Sequence, residues 1–373
     1  MNKLKETAVL SSFDEIKKVD KSGMLSFCME APNHYREAEQ LARKFTVNIS
    51  RPENIIVAGM GGSGIGGELF KDWAQDEISV PIEVCRDYHL PAYADKKTLV
   101  LCTSYSGETE ETLSVFLEAF KRKCALVSLS SGGTLRKYAI RLNVPHLLVP
   151  SGMAPRATLP YLFLPLPIIL EKIGLVSGVE KELVETKRIL RQVSSDSSPE
   201  NTANSNVAKA LAVKINGTIP IVYGFRFYRA VAQRIKTQIN ENSKNMAKWE
   251  CFPELNHNEI VGWQKANEFV PKLSVVFIRD SEEPIEIKER IEFMKETVNK
   301  TSVKTFELWS KGSSKIAKMS STICTGDFAS VYLAILRGVD PSPVEVISVL
   351  KDRLKKTGIK EKTIRELEKL AKR

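Results

Sequence analysis

Five short runs rich in β-branched and aliphatic residues, NIIVAGM, PIEVCRD, KTLVLCTSYSG, KCALVSLS and HLLVPSG, alternate with helical segments along the first half of the chain. Few folds accept that rhythm. Apolar runs separated by helix-length stretches form a parallel sheet whose two faces are covered by helices. The rhythm returns in TIPIVYGF, a helix through FYRAVAQRIKTQINEN, then KLSVVFIRD, a helix through IEIKERIEFMKETV, and SVKTFELW. The chain therefore reads as α/β, with two doubly wound parallel-sheet domains, N-terminal helices and a C-terminal helical segment. Its 373 residues are enough for two cores. Between the two rhythms, SSDSSPENTANSN at 194–206 is polar, turn-rich and without apolar periodicity, which reads as a linker. The expected domains are 1–193 and 207–340, with a helical segment over 341–373.

Composition narrows the function classes. With 43% hydrophobic and 27% charged residues the chain is globular rather than disordered or fibrous. MNKLKETAVLSSFDEIKK lacks the apolar block of a secretory signal, which predicts a cytoplasmic protein. LPYLFLPLPIIL at 159–170 is too short to span a bilayer and carries Pro160, Pro165 and Pro167, so it reads as buried core and no membrane partner is expected. The formal charge of +10 is spread through helices such as KDRLKKTGIKEKTIRELEKLAKR, and no nucleic-acid motif accompanies it. Six cysteines show no C-x-x-C pair and no ligand spacing with the four histidines, which argues against a metal site. Cys85, Cys102 and Cys124 are expected as reduced core thiols, and His34, His89 and His146 as surface or turn residues.

Two loops carry the chemistry. In NIIVAGMGGSGIGGELF an apolar run breaks into six glycines before a helix. Glycines let backbone amides approach an anion, and a helix start adds unpaired donors and a positive dipole end. Gly59, Gly61 and Gly64 formally satisfy the dinucleotide fingerprint, with Asp87 as a ribose partner. A tight strand-to-helix turn without ligand fits the same residues. In LVLCTSYSGETEETLSVFLEAF, Ser104, Ser106 and Thr109 place three hydroxyls within six residues, and a helix starts at about Glu108. Hydroxyls and helix amides at one point make a cup for a single tetrahedral phosphate. Both loops leave the carboxyl ends of strands, where doubly wound sheets bind ligands.

SYSGETEET together with GMGGSGIGG resembles the sugar isomerase (SIS) domain, which binds phosphosugars. APRATLPY, QINENSK, FPELNHNEIVGW and GVDPSPVEVISVLK resemble the bifunctional phosphoglucose/phosphomannose isomerases, so the likeness runs over residues 60–351. It implies an aldose–ketose isomerase acting on glucose 6-phosphate and mannose 6-phosphate to give fructose 6-phosphate through a cis-enediol, with no cofactor. By the same likeness Ser63, Ser104, Ser106 and Thr109 bind the phosphate, with backbone from Gly61 and Gly62. One departure is Glu108, where the family pattern has an uncharged Asn. A carboxylate beside the cup weakens phosphate binding unless it points away.

Such an isomerase needs one carboxylate that takes and returns a proton between C2 and C1, and the resemblance assigns this to Glu241. Ring opening suits a histidine titrating near neutral pH with a nearby cation, and His257 and Lys351 fit. Arg156 would stabilise the enediolate. The family's histidine reaches the site from the neighbouring subunit, which implies a homodimer with shared active sites. Three alternatives stand beside this reading: an isomerase for another sugar phosphate, such as an aminosugar, a non-catalytic phosphosugar sensor, and a dinucleotide enzyme.

Overall fold

The computed structural model describes residues 9–265 and 268–372, so the first eight residues of the expected N-terminal helical segment lie outside the described residues. Near the start of the described residues lie helices α1 (Phe13–Val19), α2 (Met24–Met29) and α3 (Ala31–Lys44). Strands β1 (Asn54–Ala58), β2 (Ile82–Cys85), β3 (Thr98–Thr103), β4 (Ala125–Ser130) and β5 (His146–Leu148) follow, interleaved with α4 (Gly61–Ala74), α5 (Glu110–Lys121) and α6 (Gly133–Arg141). They form one parallel sheet in the order β2-β1-β3-β4-β5. Every residue of β3 is buried, as a central strand covered on both faces requires.

The apolar run forms α7 (Leu159–Phe163) and α8 (Pro165–Lys172), and all residues from Leu159 to Leu170 are buried. Pro160, Pro165 and Pro167 fall in first helical turns, where a missing amide breaks no intrahelical bond. Next come α9 (Val179–Asp196), α10 (Val207–Ile215), β6 (Ile219–Phe225), α11 (Arg229–Ser243), β7 (Lys248–Phe252), α12 (Glu259–Gly262), β8 (Leu273–Arg279), α13 (Ile285–Asn299), β9 (Lys304–Trp309) and α14 (Lys315–Leu336). The second parallel sheet has the order β7-β6-β8-β9. Helix α14 is buried nearly all round, as a core helix. A Cβ at Gly326 would lie 2.6 Å from Ile235 Cγ1, so α14 and α11 cross in close contact. The described chain ends with α15 (Glu345–Lys355) and α16 (Ile359–Leu370). The α/β reading with two parallel sheets therefore holds.

The division into units differs from the expected one. One unit comprises Met1–Pro32 and Lys181–Pro343, the other Asn33–Glu180 and Val344–Arg373. The polar segment 194–206 is not a linker between them. Lys209, fully buried, donates to Pro199 O and Asn201 O at 2.7 Å each. Asn206 Nδ2 donates to Ser198 O at 3.0 Å, and Tyr332 OH to Ser197 O at 2.6 Å. Side chains thus satisfy the backbone of a polar loop that is packed down, which composition alone does not reveal. The C-terminal segment is likewise no separate appendage. Leu367 on α16 lies in the core beneath the first sheet's helices, with Ile364 and Leu370 packed against that core.

Burial pulls Lys209 down to about 8. The unfolded lysine titrates at about 10.4, so the unfolded chain binds more protons between these values and stability rises with pH across that window. Urea unfolding from about pH 7 to about pH 10 should show this extra rise in the native protein relative to Lys209→Met. Parallel pH profiles for the two proteins would contradict it.

Cys85, Cys102 and Cys124 are buried free thiols, as expected. His146 is not a surface or turn residue. It lies in β5 with Nδ1 2.8 Å from Ser128 Oγ, and burial together with Arg136 lowers it to about 4.

Candidate active site

The order of the first sheet reverses between β1 and β3, and their carboxyl ends open the crevice where such sheets bind ligands. β1 passes through Gly59 and Met60 into α4. Most of the glycines here serve close packing. A Cβ at Gly59 would stand 2.5 Å from Thr103 Oγ1, one at Gly62 2.9 Å from Pro155 O, and one at Gly66 2.9 Å from Leu162 O. Gly61 has a different reason, a left-handed φ of +52° with open space around it. The first bonds of α4 run from Ser63 N and Gly64 N to Met60 O at 3.0 and 3.1 Å. The amides of Gly61 and Gly62 precede them, at the positive end of the helix.

From β3, Thr103 Oγ1 donates to Ala58 O at 3.3 Å and Ser63 O at 3.4 Å, tying the second loop to the first. Ser104 is buried, with its Oγ 2.8 Å from Thr109 Oγ1. Ser63 Oγ accepts from Tyr105 N at 3.2 Å, and Ser106 Oγ, exposed, accepts from Glu108 N at 3.2 Å. A hydroxyl that accepts from an amide still has its proton to give to an anion. Helix α5 begins at Glu110 with Thr109 as N-cap, two residues later than expected. Tyr105, which the sequence reading passed over, braces the loop: its OH accepts from Met153 N at 2.9 Å, and its carbonyl accepts from Ser131 N and Ser131 Oγ at 2.8 Å each.

Arg156 sits in the 3-10 turn Pro155–Ala157, the turn whose carbonyl abuts Gly62, and is 3% exposed. Gly61, Gly62, Ser63, Ser104, Ser106, Thr109 and Arg156 thus belong to one unit, and the contacts above link the two loops and the Arg156 turn. Lys351 belongs to the same unit but is exposed, on α15, which has no buried residue.

Glu241 and His257 belong to the unit of the second sheet. Glu241 is half-buried in the last turn of α11, and the residues after it form a dense knot. Asn242 Nδ2 donates to Ser330 Oγ at 2.9 Å, Ser243 Oγ to Ser330 O at 2.7 Å, and Arg337 Nε to Ser243 O at 3.0 Å. Lys244 closes the helix in the left-handed region and donates to Glu241 O at 2.8 Å and Pro341 O at 2.9 Å. ENSK is therefore a helix terminus locked onto α14, and it fixes the backbone that carries Glu241. His257 is exposed in the 3-10 turn Glu254–His257. Just beyond it, Glu259 accepts from buried Tyr223 OH, and burial holds the Glu259 carboxyl above the usual range.

A family profile described as the bacterial phospho-glucose isomerase C-terminal SIS domain matches residues 204–354. The bifunctional phosphoglucose/phosphomannose isomerase of Caldicellulosiruptor bescii is 36% identical over 326 residues, 87% of this chain and 96% of that one. This chain belongs to the bifunctional phosphoglucose/phosphomannose isomerase family. The Aquifex aeolicus protein of the same description is 35% identical over 82% of this chain and 91% of its own. Among solved structures, a hypothetical protein from Thermus thermophilus superposes with a TM-score of 0.70 at 15% identity, over 90% of each chain, a likeness of fold.

In this member of the bifunctional isomerase family the two sheets differ at their crevices. The second sheet reverses between β6 and β8, but among the described residues no cup like that of Ser104, Ser106 and Thr109 stands there. Tyr228 OH donates to Asp280 Oδ2 at 2.7 Å, and Lys318 Nζ contacts Asp280 at 3.0 Å and Glu282 at 2.6 Å. The amides of Ser313 and Ser314, at the start of α14, donate to the Glu185 carboxylate at 2.8 and 2.9 Å. Glu108, the departure from the family pattern, turns away from the cup. Its Oε1 accepts from Thr134 N at 2.7 Å, and its Oε2 accepts from Lys360 Nζ.

Proposed function

We propose that the protein interconverts glucose 6-phosphate and mannose 6-phosphate with fructose 6-phosphate. The observation that carries the reading is the cup of Ser63, Ser104, Ser106 and Thr109 beside the Gly61 and Gly62 amides, in a member of this family. It suits one phosphate monoester. Opening the pyranose gives a proton to the ring oxygen and removes one from the anomeric hydroxyl, roles assigned to His257 and Lys351. Glu241 takes the C2 proton to give the cis-enediol and returns it at C1, so no net oxidant is consumed. Arg156, buried and cationic, offsets the charge of the enediolate as it develops. Rotation about C2–C3 presents opposite faces of the enediol to the same base, which admits both epimers. The deciding experiment is an assay of purified protein with each aldose phosphate and with fructose 6-phosphate. Turnover of none of them would refute the reading.

We further infer a homodimer in which His257 of one copy serves the site that holds Glu241 of the other. Exposure of His257 in a turn supports this. Inactive Glu241→Gln dimers mixed with inactive His257→Ala dimers should regain activity on subunit exchange. Each heterodimer would hold one intact site and one lacking both groups. Exchange verified by mass, with no activity returning, would place both residues within one chain.

A further inference from the structure

We propose that the Glu108–Lys360 ion pair sets the charge of the phosphate loop, which makes both residues positioning residues for sugar-phosphate binding. The proposal rests on the cup as the phosphate site. Glu108 stands in the loop between Ser106 and Thr109, and its amide donates to Ser106 Oγ at 3.2 Å. Its carboxylate leaves the loop toward the first turn of α6. There Thr134 N donates to Oε1 at 2.7 Å, and Thr134 Oγ1 lies 3.0 Å from both oxygens. Lys360, in the first turn of α16, supplies the cation to Oε2.

The arrangement is built tightly. A Cβ at Gly133 would fall 2.7 Å from Glu108 Oε1 and 2.4 Å from Ser106 O, so the loop and the start of α6 meet where no side chain fits. Helix α16 is anchored independently of Lys360. Leu367 is fully buried, Glu368 accepts from Tyr138 OH at 2.8 Å and from Arg141 at 2.6 Å, and Glu366 pairs with Lys121 at 3.2 Å. Lys360 is therefore delivered to the loop by a docked helix rather than by a loose tail. Burial opposes the charge of Glu108, but Lys360 and Thr134 outweigh it and hold the carboxyl below the usual carboxylate range. A carboxylate that stays ionised beside a phosphate dianion repels it unless a cation is fixed against it. Lys360 is that cation, and it lets this chain carry a glutamate in a phosphate loop.

The test compares Lys360→Met, Glu108→Gln and the double variant for KM and kcat with fructose 6-phosphate, at low and high salt. Leaving Glu108 unpaired should raise KM about five- to tenfold at low salt, with a smaller effect on kcat. The rise should shrink in about 0.5 M KCl, where charges are screened. Adding Glu108→Gln to Lys360→Met should recover most of the loss, although the double variant lacks the tether entirely. A double variant as weak as Lys360→Met would show a merely structural tether and overturn the proposal. Ser104→Ala separates the two readings. If it raises KM while Lys360→Met does not, the cup stands and the charge proposal falls; if neither raises KM, the cup is misassigned and the proposal falls with it.

Discussion

Glu241→Gln is expected to lower turnover by roughly 10²-fold or more while sugar phosphates still bind, because a positioned general base contributes on that order. The amide keeps the size and most of the shape of the carboxylate but does not accept the C2 proton. The knot of Asn242, Ser243 and Lys244 on Ser330, Arg337 and Pro341 holds the end of α11 through groups other than the Glu241 carboxylate. Steady-state turnover, paired with titration of fructose 6-phosphate onto the inactive protein, separates chemistry from binding. Retention of most of the native turnover would remove Glu241 from the role of base.

The second large effect is expected in KM. Hydrogen bonds to a charged group contribute about 1.5–3 kcal/mol each, so Ser104→Ala combined with Ser106→Ala should raise KM for sugar phosphates about 10²-fold or more. Ser104 is the more consequential of the two. It is buried, and its loss also strips Thr109 Oγ1 of its 2.8 Å partner. Ser106 is exposed, and its hydroxyl orders the loop by accepting from Glu108 N. Weak affinity for NAD, if measurable, should not change, since a dinucleotide would rest on the glycine turn instead. An unaltered KM for fructose 6-phosphate in the double variant would put the phosphate elsewhere on the molecule.

The architecture was legible because it is written locally. Strands such as TLVLCT and LSVVFIR are continuous apolar runs, and their alternation with helices leaves a parallel sheet as the outcome. The hydroxyl loop was legible for the same reason, since Ser104, Ser106 and Thr109 are neighbours in the chain. The glycine loop was legible as a turn and an anion site, but the packing that demands each glycine was not. That Gly59, Gly62 and Gly66 are small because Thr103, Pro155 and Leu162 press on them depends on partners tens of residues away. Distance in sequence hid the rest. Lys360 lies 252 residues from Glu108, and Ser330 lies 88 from Asn242. The segment 194–206 misled because its polar composition is that of an open linker, whereas its carbonyls are held by Lys209, Asn206 and Tyr332.

The difference between the two crevices has a kinetic consequence. A chain with two sheets of one kind could offer two landing places to every phosphorylated molecule, and the second would be a dead end. Here Asp280 and Glu282 meet Lys318 within the unit of the second sheet, and Glu185 occupies the amides of Ser313 and Ser314. An arriving phosphate finds carboxylates already in possession. Saturation with sugar phosphate should therefore follow a simple hyperbola, without the decline at high concentration that an unproductive second complex brings.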